Sequence, residues 1–151
     1  RYYSKSPIEP YTHTEEEIVK YTRETFPNAA ETILKHSDLP VMLEKATHLT
    51  KLNLFEKRLL SFQEIEKHIT QNHLPLLCID YAKIAIDKSK YPNYSGHFVP
   101  MVGFDNESVF YHESGPKNPL ANRQVPKKDF IDAWNAEGTD NDVVIVYGKR
   151  K

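Results

Sequence analysis

Apolar and polar residues change their spacing once along this chain, near residue 74, and the change divides the elements that the pattern predicts. Before it the spacing is helical. Thr14-Glu15-Glu16-Glu17 sets a hydroxyl at an N-cap with a carboxylate three positions on, a capping box, and Ile18, Tyr21, Thr22 and Thr25 follow at helical intervals until Pro27. A second helix is predicted from Asn28 through Leu34. A third starts at Asp38-Leu39-Pro40, with Met42, Leu43 and Ala46 on its buried stripe. Leu49 to Leu60 alternates weakly and predicts a short strand. Ser61-Phe62-Gln63-Glu64 is a second capping box, and Phe62, Ile65 and Ile69 share one face of the helix that it opens.

From Leu74 to Tyr81 the residues are almost continuously apolar, as in a strand covered on both faces. His97 to Phe104 and Ser108 to His112 predict a hairpin around Asp105-Asn106-Glu107. Pro126-Lys127-Lys128-Asp129 opens one more helix, containing Phe130, Ile131 and Trp134, and Asp142 to Tyr147 closes the sheet. Asp87 to Ser95 and Ser114 to Val125 read as surface loops. Helices first and antiparallel strands afterwards imply an α+β fold, with N-terminal helices packed on a C-terminal antiparallel sheet. No repeat or linker interrupts residues 1–151, so a single domain is expected.

Composition narrows the function. The chain has 151 residues with a net charge of −1, which gives no case for a nucleic-acid partner, and the Lys149-Arg150-Lys151 tail is too short to make one. No apolar run approaches the roughly 20 residues of a membrane helix. Cys78 is the only cysteine, so neither an intrachain disulfide nor a thiolate zinc cage can form. Five glycines leave no room for a Rossmann fingerprint or a phosphate-binding loop. No histidine pair has the spacing of helical metal ligands, and no metal or cofactor is expected. Arg1 in place of an initiator Met suggests that the sequence begins inside a longer product. The default compartment is then cytoplasmic, with no oligomeric state favoured.

His13, His36, His48, His68 and His73 lie at helix ends or in polar loops, where an imidazolium can meet C-terminal carbonyls. His97 is different: it follows Ser95-Gly96 and opens an apolar strand, a place where a general base can be both held and reached. If Phe104 pairs with Ser108, His97 lies opposite position 115 and diagonal to Glu113 on the same sheet face, where a carboxylate could orient the imidazole. A slip of one residue would turn His112 toward it instead. Tyr81, Tyr91 and Tyr94 could line a groove beside His97 or simply pack on the domain, and Trp134 could belong to the core or shield the pair.

The run Gly96-His97-Phe98-Val99-Pro100-Met101-Val102-Gly103-Phe104-Asp105, followed by Val109-Phe110-Tyr111-His112-Glu113, resembles the His and Asp motifs of the bacteriocin-processing (double-glycine) branch of papain-fold cysteine peptidases. Residues 61–77 resemble that family's helix and strand before its His loop, and Phe130-Ile131-Asp132-Ala133-Trp134 resembles its late helix. The resemblance implies a papain-like fold and a peptide or amide substrate, with His97 as base and Glu113 in place of the orienting Asp. Gly96, Tyr94 and Trp134 would contact the substrate. The family's nucleophile stands in a Cys-Gly-Pro segment that is not present, so the resemblance puts it upstream of Arg1, with Tyr2-Tyr3 ending the helix that bears it. Cys78, in the middle of an apolar strand, is not expected to replace it. An acyl- or amidotransferase, or a binding module that has lost its Cys, are the alternatives on the same fold.

Overall fold

The change of period is also a change of structure. In the computed structural model, which describes residues 2–3, 14–25, 27, 30–35, 37–56, 58–114 and 119–148, the chain runs β1 (Tyr2–Tyr3), α1 (Glu15–Thr25), α2 (Ala30–Lys35), α3 (Leu39–Lys51), β2 (Phe55–Glu56), α4 (Phe62–Glu66), β3 (His73–Asp80), α5 (Tyr81–Ile84), a 3₁₀ turn (Lys88–Lys90), β4 (Gly96–Phe104), β5 (Ser108–Glu113), β6 (Leu120–Pro126), α6 (Lys127–Trp134) and β7 (Val143–Tyr147). By its contacts the chain separates into two compact units, Ser6–Lys57 and Arg1–Lys5 with Arg58–Lys151. The fold class is α+β.

The first unit is helical. The capping box of α1 forms: the Thr14 N–H donates to Glu17 Oε2 at 2.7 Å, and the Glu17 N–H donates to Thr14 Oγ1 at 3.3 Å. Ile18 and Thr22 are its buried residues. Asp38 caps α3 by accepting the Val41 N–H at 3.2 Å, with Pro40 in the first turn, where its missing N–H costs nothing. Two expectations are corrected here. The helix continues through Lys51, so the strand predicted from Leu49 shrinks to Phe55–Glu56. Met42 is 42% exposed rather than part of a buried stripe. Asn28, His13, His36, the Lys149-Arg150-Lys151 tail and the Ala46 side chain lie outside what is described.

In the second unit the strands follow the order β1-β7-β3-β4-β5-β6, each neighbour antiparallel to the next. The near-continuous apolar run is β3, paired to β7 on one edge and β4 on the other, with Leu77 and Ile79 buried on one face and Cys78 on the other. On the face toward α6, Leu77, Ile79, Val99, Met101, Val109, Tyr111, Val143 and Ile145 are at most 1% exposed, and Phe130, Ala133 and Trp134 of α6 close over them with Ile65 of α4. Each Val, Leu, Ile, Met or Phe among them contributes roughly 1.5–3 kcal/mol by leaving water. The capping box of α4 also forms, with the Glu64 N–H donating to Ser61 Oγ at 3.3 Å and the Ser61 N–H to Glu64 Oε2 at 2.8 Å.

Two further expectations change. Tyr2–Tyr3 does not end a helix: it is strand, in register with Val144 and Val143. Within the predicted loop Ser114 to Val125, residues 115–118 lie outside the described residues, but Leu120–Pro126 is an edge strand. Its Asn and Pro content hides an alternation in which Arg123 and Val125 turn inward.

Candidate functional site

The β4–β5 hairpin decides which side chain meets His97. Next to the turn, Phe104 pairs with Val109 and Gly103 with Phe110, but beyond them Met101 pairs with Tyr111, so Val102 is an extra residue in β4. The register at the turn, continued regularly, would bring His112 to the face of His97. The bulge resets it by one position and brings Glu113 there. His97 Nε2 then lies 2.9 Å from Glu113 Oε1. The imidazole is 28% exposed and the carboxylate 5%, a buried anion held against a base that solvent can reach. A second bulge, at Asn122 in β6 (φ 53°), separates the Tyr111–Arg123 pair from the Glu113–Leu120 pair. There the Asn122 N–H donates to His112 Nδ1 at 3.0 Å, which occupies the imidazole of His112 away from His97.

Behind the pair sits a buried cation. Arg123 is 8% exposed, with Nη1 at 3.7 Å from Glu113 Oε2 and donating to the Tyr81 hydroxyl at 3.3 Å, while Nη2 donates to the Ile84 carbonyl. Its guanidinium carbon lies 5.7 Å from the ring centre of Tyr81 and 5.4 Å from that of Tyr111. Tyr81 opens α5, capped by Asp80, whose Oδ1 accepts the N–H groups of Ala82 and Ser95. The Tyr81 ring meets His97 edge-on at 5.7 Å and Tyr91 at 5.0 Å. Burial first, and then the negative charge of Glu113, push the Tyr81 phenol above its ordinary range, so it stays a hydroxyl at neutral pH.

The structure therefore brings His97 and Glu113 together. Gly96 directly precedes His97, and Tyr94 folds back over it: a Cβ on Gly96 would come 2.7 Å from the Tyr94 hydroxyl oxygen. That hydroxyl donates to the Gly138 carbonyl at 2.7 Å. Trp134 is 3% exposed, with its ring 6.1 Å from that of Phe62 in the core. Ile79 is in register with His97, so the neighbouring Cys78 points to the opposite face of the sheet. Burial, and next the charge of Asp142, push the Cys78 thiol up to about 11. Among the described residues, no three His, Cys, Asp or Glu side chains converge as a metal site. Sequence reasoning missed Arg123. The signal was the Arg-Gln-Val alternation of residues 123–125, masked by the Asn and Pro residues that precede it.

Comparison with known families corrects the peptidase resemblance. The family model that matches is that of guanylylate cyclase, over residues 42–146, and it overturns the cysteine-peptidase reading, its double-glycine branch, the thiol-protease nucleophile upstream and the acyl-transfer alternative. The ground for a papain-like arrangement goes with them, while the α+β class stands. The short motifs around His97 describe an imidazole and a carboxylate on a hairpin, and that geometry does not belong to one chemistry. The matched segment takes in more than two thirds of the 151 residues and every side chain of the buried cluster, and on that extent the chain belongs to the guanylylate cyclase family.

Proposed function

We propose that the chain catalyses the cyclisation of GTP, with His97 as general base and Glu113 as the group that orients it. The observation that carries this reading is the 2.9 Å contact between a partly exposed imidazole and a buried carboxylate inside the segment that matches the family. A carboxylate at Nε2 accepts its proton, which leaves the lone pair on Nδ1. In the reaction Nδ1 takes the proton of the ribose 3′-hydroxyl. The 3′-oxygen attacks the α-phosphorus, the bond from that phosphorus to the oxygen bridging toward the β-phosphate breaks, and 3′,5′-cyclic GMP and pyrophosphate form. Gly96, next to His97, is the residue for substrate contact; the Tyr94 ring packs where a Cβ of Gly96 would point, on the face of the sheet opposite the imidazole, and Trp134 is enclosed in the core, so neither is assigned to the substrate.

Phosphoryl chemistry of this kind ordinarily draws on a divalent cation. The described residues do not fit a metal centre built from protein side chains, so no step is routed through one. The purified full chain, incubated with GTP and magnesium, should release cyclic GMP measurable by mass spectrometry. His97→Ala should lower the rate by roughly 10²–10⁴-fold, the usual worth of a positioned base. No product from the wild-type chain, or an equal rate from the variant, would refute the reading.

A further inference from the structure

The cation behind Glu113 belongs to no part of the chemistry above, yet it is buried with the base. An arginine 8% exposed must have its charge balanced, and among the described residues the carboxylate beside it is that of Glu113, which His97 shares. The placement is overdetermined. Strand alternation from Val125, with Arg123 paired to Tyr111, turns Arg123 inward, the rings of Tyr81 and Tyr111 lie beside its guanidinium carbon, and the Ile84 carbonyl and the Tyr81 hydroxyl take up its donors. From this arrangement we propose that Arg123 is a positioning residue: it neutralises Glu113 from the side opposite His97, so that the imidazole is oriented by the carboxylate without being held as an imidazolium.

The charge arithmetic gives the reason. With His97 neutral, Arg123 and Glu113 sum to zero in a buried site. A proton on His97 makes the cluster cationic and sets imidazolium against guanidinium across one carboxylate. Without Arg123, the buried carboxylate would bind that proton through His97 and hold it. The other titratable groups packed on the cluster are Tyr81 on α5, with Tyr91 against it, and Tyr111 on β5, while Cys78 on β3 points to the opposite face; the shifts resolved for Tyr81 and Tyr111 are upward, so both stay uncharged at neutral pH. The inference rests on His97 being the base of the proposed reaction. Its physical content, the proton affinity of one imidazole, is measured without substrate.

The test is an NMR titration of His97 in the full chain. Arg123→Gln should raise the midpoint by about one pH unit, a tenfold loss of neutral imidazole at a fixed pH on the basic side of neither midpoint. Arg123→Lys, which keeps the charge, should stay at the wild-type midpoint. Glu113→Gln leaves Arg123 in place and should drop the midpoint below the free-imidazole value of about 6.5, and Glu113→Gln combined with Arg123→Gln should return toward it. A residue that only supports the fold would lower stability in these variants without moving the midpoint. An unchanged or lowered midpoint in Arg123→Gln overturns the proposal. So does a midpoint at or above the free value in Glu113→Gln, a variant that keeps the test alive if those at position 123 do not fold. Absence of cyclic GMP with the expected titrations would instead count against the cyclase reading alone.

Discussion

At the scale of single residues, the thiol of Cys78 shows how a side chain's surroundings fix its chemistry. With its ionisation pushed up to about 11, the thiolate is about a thousandth of the population at pH 8. Iodoacetamide should therefore leave the native chain unmodified over minutes and alkylate it once the sheet is unfolded in denaturant, as intact-mass measurement would show. Fast labelling of the native chain would contradict the burial described. This residue was legible in the sequence because a continuous apolar run leaves a mid-strand cysteine nowhere polar to go. His97 was legible for the opposite reason, as a titratable group at the mouth of such a run. Its partner was only half legible: Glu113 and His112 both stood within one register step, and the choice between them was made by Val102, which looks in sequence like any other strand valine.

Among the elements, the caps were the most readable, because a hydroxyl followed three positions later by Glu satisfies backbone donors locally, whatever the rest of the fold does. Glu64 illustrates the consequence for pH. Hydrogen bonds from the Ser61 backbone and from Arg58, followed by the Ser61 hydroxyl, bring its carboxyl down to about 2 from 4.5. Because the folded value is the lower one, the stabilisation is complete above 4.5 and fades as pH falls toward 2. A carboxyl titration followed by NMR should find that low midpoint, and one near 4.5 would mean that the capping box does not hold in solution. Ser61→Ala should cost about 1 kcal/mol in a denaturant melt and return the Glu64 midpoint toward its ordinary value. Edge strand β6 was the least readable element. Its alternation is carried by Arg123 and Val125 alone, and the left-handed Asn122 that breaks its register also disguises it as a loop.

Across the whole molecule, periodicity told helix from strand but could not order the strands. β7 lies between β1 and β3, partners far from it in the chain, and only the three-dimensional packing specifies such neighbours. The centre of that packing is the layer between α6 and the sheet. Phe130 is fully buried there, within 5.6 Å of the Tyr111 ring and 6.3 Å of the Phe62 ring. Phe130→Ala should cost about 3–5 kcal/mol, read from chemical denaturation, and a loss below 1 kcal/mol would show that the layer is looser than described. Function was less legible than fold. An imidazole and a carboxylate at the end of a hairpin reveal where protons can move, and say little about which molecule supplies them.

The surplus valine in β4 has an evolutionary corollary. The tip of the ribbon can lengthen or shorten at Asp105-Asn106-Glu107 without consequence for His97, since the strands keep their phase. A single codon gained within β5 between Phe110 and His112 would put His112 in the place of Glu113, and one lost there would put Ser114 in it; either change strands the guanidinium without a counterion. Indels should accordingly be tolerated at the tip and purged a few residues farther along.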